Sequence, residues 1–186
     1  MHPRLRSGQA GKESGCLVKS REFTGIGSWS TGSLLLEDLI PAALDCLTSI
    51  DEALGKAWAQ KVEACREASG DGDERIDYFD CADTDIGSEL YEELCAVIDG
   101  RLPAYLYWGS TDGDGADIGV WVSHDSIADD RRSGELPSGD QLPDEADAVA
   151  DGITQFLHVS DHGNMELYAI VDGANGKVWR SVWGCV

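Results

Sequence analysis

The segment YWGSTDGDGADIGVWVS, residues 107–123, sets Asp112, Asp114 and Asp117 among glycines between two short apolar runs. Carboxylates at steps of two and three, on a turn that glycine makes possible, imitate the opening of a calcium loop. The twelfth position from Asp112 is Ser123 where such a loop needs glutamate, and the flanks have the pattern of strands. The segment therefore reads as a loop between two strands, with Gly113 and Gly115 at positive φ and the aspartates capping backbone N–H groups. Calcium binding there is the lesser alternative, and no cofactor or metal is expected.

His124 in VSHDS, and His158, Ser160, Asp161 and His162 in HVSDHGN, are residue types able to serve a nucleophilic or metal site. Neighbours along a strand or turn point apart, however, and a catalytic triad is a spatial arrangement. GxSxG, HExxH and phosphate-loop motifs are all missing from the sequence, and His162-Gly163-Asn164 has the character of a turn. The chain is expected not to be an enzyme. Its six cysteines, at 16, 46, 65, 81, 95 and 185, show no CxxC spacing. Buried reduced thiols in a cytoplasmic protein, with neither disulfides nor structural zinc, are the expectation.

The elements that must position these residues follow from periodicity. Residues 1–32 are rich in Gly, Ser and Arg without helical or strand period and read as a flexible basic leader. Residues 33–186 form the single expected domain. Leu36, Leu39, Ile40, Ala43, Leu47 and Ile50 recur at helical steps. Pro41 implies a kink or a late start in that helix, with Asp38 as a possible cap. A second helix is expected over residues 49–68 and a third over 86–98.

Beyond Pro103 the period falls to two in AYLYW, IGVWV, ITQFLHV, MELYAIV and VWRSVW. The fold class expected is α+β, with an N-terminal helical layer packed on a five-stranded, mainly antiparallel β-meander sheet. Residues 124–152 enter as a short helix and a long loop. Alternation places Leu106, Ile118, Val120, Val122, Leu157, Leu167 and Val182 among an aliphatic face. The opposite face gathers Tyr105, Tyr107, Trp121, Phe156, Tyr168, Trp179 and Trp183. That aromatic face is either covered by part of the helical layer, the leader or the 124–152 insertion, or serves a peptide, a small ligand or a homodimer.

Charge is the outstanding property, at −21 for 186 residues. Between residues 71 and 99 the carboxylates Asp71, Asp73, Glu74, Asp77, Asp80, Asp83, Asp85, Glu89, Glu92, Glu93 and Asp99 face Arg75 alone. Asp112, Asp114, Asp117, Asp129 and Asp130 belong to a second cluster, in which the cations are Arg131 and Arg132. Such a chain is repelled by nucleic acid and anionic membrane and steered toward basic surfaces. Carboxylates spaced like phosphates compete for a nucleic-acid groove and gain the same counterion release. The expected function is non-enzymatic occlusion of a basic nucleic-acid-binding site on a protein or protein–RNA complex. The clusters at 71–93 and 112–147 would make the contact, without direct binding of nucleic acid.

YLYWGSTDGDGADIGVWVS, with HVSDHGNMELY and the C-terminal VWRSVW, resembles a set of small acidic proteins of phages and mobile elements. They share a GDGAD segment, a following aromatic strand and a DHGN turn. The resemblance covers roughly residues 76–183 and supplies no catalytic residues. It implies an anti-defence role, as an inhibitor of CRISPR or restriction systems. The basic leader stands outside the pattern.

Overall fold

The computed structural model describes residues 22–68 and 84–185. Helix α1 (Leu36–Ile50) buries Leu39, Ile40, Ala43, Cys46 and Leu47 and leaves Glu37, Asp38 and Asp45 outside. It starts at Leu36 and runs through Pro41, so the late start and the Asp38 cap expected from sequence are not found. Tertiary packing of the apolar stripe outweighs the helical hydrogen bond that proline cannot donate.

Asp51 turns the chain by serving two helices. Its backbone N–H donates to the Leu47 carbonyl at 2.7 Å, and its carboxylate accepts from the Leu54 N–H at 3.2 Å to open α2 (Glu52–Ala68). Gly55 lets the two helices meet: a β-carbon there would lie 2.6 Å from Cα of Thr48. Helix α3 (Thr84–Asp99) packs on α1 and presents Leu90, Leu94 and Ile98 to the core at four-residue steps.

The strands form two sheets. The expected five-stranded meander is corrected to a three-stranded sheet beside a four-stranded one. In the first, β3 (Asp114–Val122) lies between β1 (Gly27–Thr31) and β2 (Leu106–Thr111), antiparallel to both. The strand β1 comes from sequence expected to belong to the leader, of which residues 1–21 fall outside the described residues. Its approach is close, since a β-carbon at Gly119 would meet the Gly27 carbonyl oxygen at 2.1 Å. With both sides of β3 occupied, the next strand in sequence cannot pair with β3 as a continuous meander requires.

The later strands build the second sheet instead. Helix α4 (His124–Ser133) and α5 (Glu145–Ala150) bracket the short β4 (Ser138–Gly139), which pairs in parallel with β5 (Gln155–Val159). The antiparallel β6 (Met165–Gly173) and β7 (Gly176–Cys185) complete the order β4-β5-β6-β7. The last three strands keep the expected meander.

A β-bulge in the β6–β7 ladder decides what the core contains. Leu167 pairs with Trp183 but Tyr168 pairs with Ser181, so one extra residue of β7 intervenes. An extra residue reverses the facing of everything beyond it. Trp183, expected on the aromatic face, is therefore 0% exposed among core residues. Its indole N–H donates to the Ala104 carbonyl at 2.9 Å, just before β2. One cluster of buried residues runs from Leu47 and Leu94 through Trp108 and Val120 to Leu157, Leu167 and Trp183, which joins the helices and both sheets around a single core. Among the described residues no helix is long and apolar enough to cross a membrane.

Candidate functional site

The acidic positions divide by element. Asp71, Asp73, Glu74, Asp77, Asp80 and Asp83 lie outside the described residues, and Asp85 falls in the first turn of α3. Glu89, Glu92 and Glu93 are exposed on α3 because the helical period sends Leu90, Leu94 and Ile98 the other way. Glu93 is ion-paired with Lys61, whose ammonium also stands 4.3 Å from the centre of the Trp58 ring. Glu89 and Glu92 have no cation within ion-pair distance among the described residues.

The opening segment is a hairpin. Asp112 and Gly113 form the tip between β2 and β3, with Gly113 at φ 89°. Gly115 has no positive φ and continues the strand, contrary to expectation. Asp112 and Asp114 are exposed, and Asp114 accepts from the Ala116 N–H at 3.0 Å, the local capping expected of it. Asp117 is half-buried in β3 with one carboxylate oxygen buried and without a hydrogen-bond partner. Among the described residues no three His, Cys, Asp or Glu side chains form a group able to hold a metal ion.

Helix α3 and this hairpin are clamped together. The Asp99 carboxylate at the end of α3 accepts from the Trp108 backbone N–H at 2.8 Å, and the Trp108 indole N–H donates to the Tyr91 hydroxyl at 3.3 Å. Burial pushes the Tyr91 phenol up to about 12, opposed by the Trp108 hydrogen bond. The Cys95 thiol, one turn along, is also raised, chiefly by burial. Sequence alone missed this clamp, because Trp108 and Asp99 lie on elements that it could not place side by side.

Two further acids differ in duty. Asp129 is exposed on α4 and paired with Arg132 at 2.7 Å. Asp130 is half-buried and accepts from the Tyr105 hydroxyl at 2.8 Å, so it holds an internal contact and is removed from the expected partner surface. Tyr105 precedes β2 at φ 66° and packs on the core, which also removes it from the aromatic face. Burial first, then Asp130, drives its phenol well above the usual tyrosine range.

The aromatic face itself is divided by the two-sheet arrangement. Tyr107 and Trp121 are partners across β2 and β3, half-exposed on the first sheet. The Trp121 indole lies over the strand and donates to the Gly109 carbonyl at 2.9 Å. Trp179 and Tyr168 belong to the second sheet. There Trp179 packs at 6.2 Å from Phe156 and donates to the Pro143 carbonyl at 2.9 Å, beneath the segment that carries α5. That covering was the alternative read from the 124–152 insertion.

Among the described residues the three histidines do not converge. His124 opens α4, His158 on β5 contacts the Asp140 carbonyl at 3.1 Å, and exposed His162 faces Asp161 at 3.7 Å. Cys46, Cys95 and Cys185 are free thiols. Burial, with a smaller contribution from Asp99, pushes the Cys46 thiol up to about 12, so it behaves as a small core hydrophobe and not as a nucleophile. No protein-family model, curated protein or solved structure matches the chain.

Proposed function

We propose that the protein binds a basic surface of a protein or protein–RNA complex through exposed carboxylates and thereby keeps nucleic acid off that surface. The observation that carries this reading is the clamp from Asp99 and Tyr91 to Trp108, which holds two elements bearing uncompensated acids, Glu89 and Glu92 on α3 and Asp112 and Asp114 at the hairpin, in a constant relation. Rigidly held charges lose little conformational freedom on binding. The net charge of −21 steers the encounter, and displaced counterions favour the complex as they do for a nucleic acid. A CRISPR or restriction complex is the target class that the resemblance implies.

The test compares wild-type protein with the variant Glu89→Lys, Glu92→Lys, Asp112→Lys, Asp114→Lys as immobilised bait in host lysate at low salt. The expected result is retention of a DNA- or RNA-handling complex by the wild type only, with release of that complex's nucleic acid and elution by raised salt. Equal retention by the reversed variant, or no such complex on the wild type, overturns the proposal.

A further inference from the structure

The β6–β7 hairpin closes on a loop of two residues, Ala174 and Asn175, between the paired Gly173 and Gly176. Both Asn175 and Gly176 are exposed. Gly176 sits at φ 132°, in the region that favours glycine, and nothing lies within 4 Å of the position a β-carbon would take there. Strand β7 is the edge of its sheet, so among the described residues Gly176 is paired on one side only. Among those residues the Asn175 carboxamide has no hydrogen-bond partner.

Asn164, the other asparagine of the chain, has different surroundings. Its backbone N–H donates to the Ser160 hydroxyl at 3.1 Å and its carbonyl accepts from the Ser160 N–H at 2.9 Å, so that turn is tied at both groups. The next nitrogen belongs to Met165, a half-buried residue packed against the core and paired with both Val159 and Cys185.

From this contrast we propose that Asn175 is a site of spontaneous modification in the folded chain, at which the side-chain amide is lost through a cyclic imide with Gly176. The Gly176 backbone nitrogen attacks Cγ of Asn175. A new C–N bond closes the ring, the Cγ–Nδ2 bond breaks, and the proton shed by the Gly176 nitrogen leaves with ammonia. Water then opens the ring: at Cγ it gives aspartate, and at the main-chain carbonyl it gives isoaspartate. No electrons are gained or lost. Ring closure needs backbone conformations that a side chain on the following residue obstructs, and glycine removes that obstruction. The exposed end of a hairpin also opens locally at little cost in free energy.

Either product adds a negative charge at the hairpin end that carries the Asp172–Lys177 ion pair, whose groups are 2.7 Å apart. Isoaspartate also inserts a methylene into the main chain of a loop whose length sets the strand register. The step needs no partner and uses none of the acids proposed to meet a basic surface, so either reading can fail without the other.

The experiment is incubation of the folded full chain in neutral buffer at physiological temperature, followed by peptide mass mapping and by enzymatic methylation specific for isoaspartate. Asn175 is expected to lose its amide about tenfold faster than Asn164, a difference of about 1.4 kcal/mol in barrier, with both isoaspartate and aspartate formed. Gly176 is left in place, because its φ would strain any other residue. Asn175→Gln, which has to close a larger ring, is expected to keep its amide over the same period with an unchanged circular dichroism spectrum. Retention of the Asn175 amide, equal loss at the two asparagines, equal loss in Asn175→Gln, aspartate as the sole product, or loss only once urea has unfolded the chain overturns the proposal.

Discussion

Replacement of Trp183 by phenylalanine isolates the consequence of the bulge. The indole is 0% exposed, touches the core shared by both sheets and donates to the Ala104 carbonyl at 2.9 Å. Loss of the larger ring leaves a partial cavity worth about 1 kcal/mol, a fraction of the 3–5 kcal/mol seen when a buried aromatic is cut to alanine. The lost hydrogen bond adds about 1 kcal/mol, at the low end because Ala104 is exposed and water can satisfy its carbonyl. Trp183→Phe is therefore expected to destabilise the fold by about 2 kcal/mol. Trp179→Phe serves as the reference, since that ring is only half-buried and loses chiefly its bond to Pro143. The assay is urea unfolding followed by far-UV circular dichroism, because either substitution alters tryptophan fluorescence. An unchanged m-value assigns the midpoint shift to stability. If Trp183→Phe costs no more than Trp179→Phe, the reversal of facing at the bulge is wrong.

Three other perturbations test the packing and the titrating groups. Gly55→Ala gains about 1 kcal/mol of helix propensity but forces α1 and α2 apart at Thr48, an overpacking cost of about 1–3 kcal/mol, so its melting temperature should fall; a rise would refute the close approach. The phenols of Tyr91, Tyr105 and Tyr168 are all raised in the folded state. Above pH of about 10 the unfolded chain loses protons that the folded chain keeps, so the stability these groups contribute is intact below that pH and is lost as pH rises through the folded values. Urea midpoints should decline on that alkaline side, and Asp130→Asn should lower the Tyr105 transition in ultraviolet titration near 295 nm. An unmoved transition would remove Asp130 as a cause.

Local rules made much of the candidate surface legible. Leu90, Leu94 and Ile98 at four-residue steps require Glu89, Glu92 and Glu93 to face outward, and the Asp112-Gly113 pair between alternating runs announces a hairpin tip. Alternation also identified Leu157 and Leu167 as core residues of a meander. Asp130 could not be told from Asp129 by type or neighbourhood. Only the approach of Tyr105 makes one an internal acceptor and leaves the other in water.

Sequence by itself determined the helical and strand periods, the charge and the outward direction of the α3 acids, because each depends on neighbours within a few residues. Tertiary structure decided which strands share a sheet, since β1 occupies the edge of β3 that the meander would have used. It also decided the side on which Trp183 lies, through one unpaired residue in a ladder. Edge occupancy and register are relations between distant segments, and no local period encodes them.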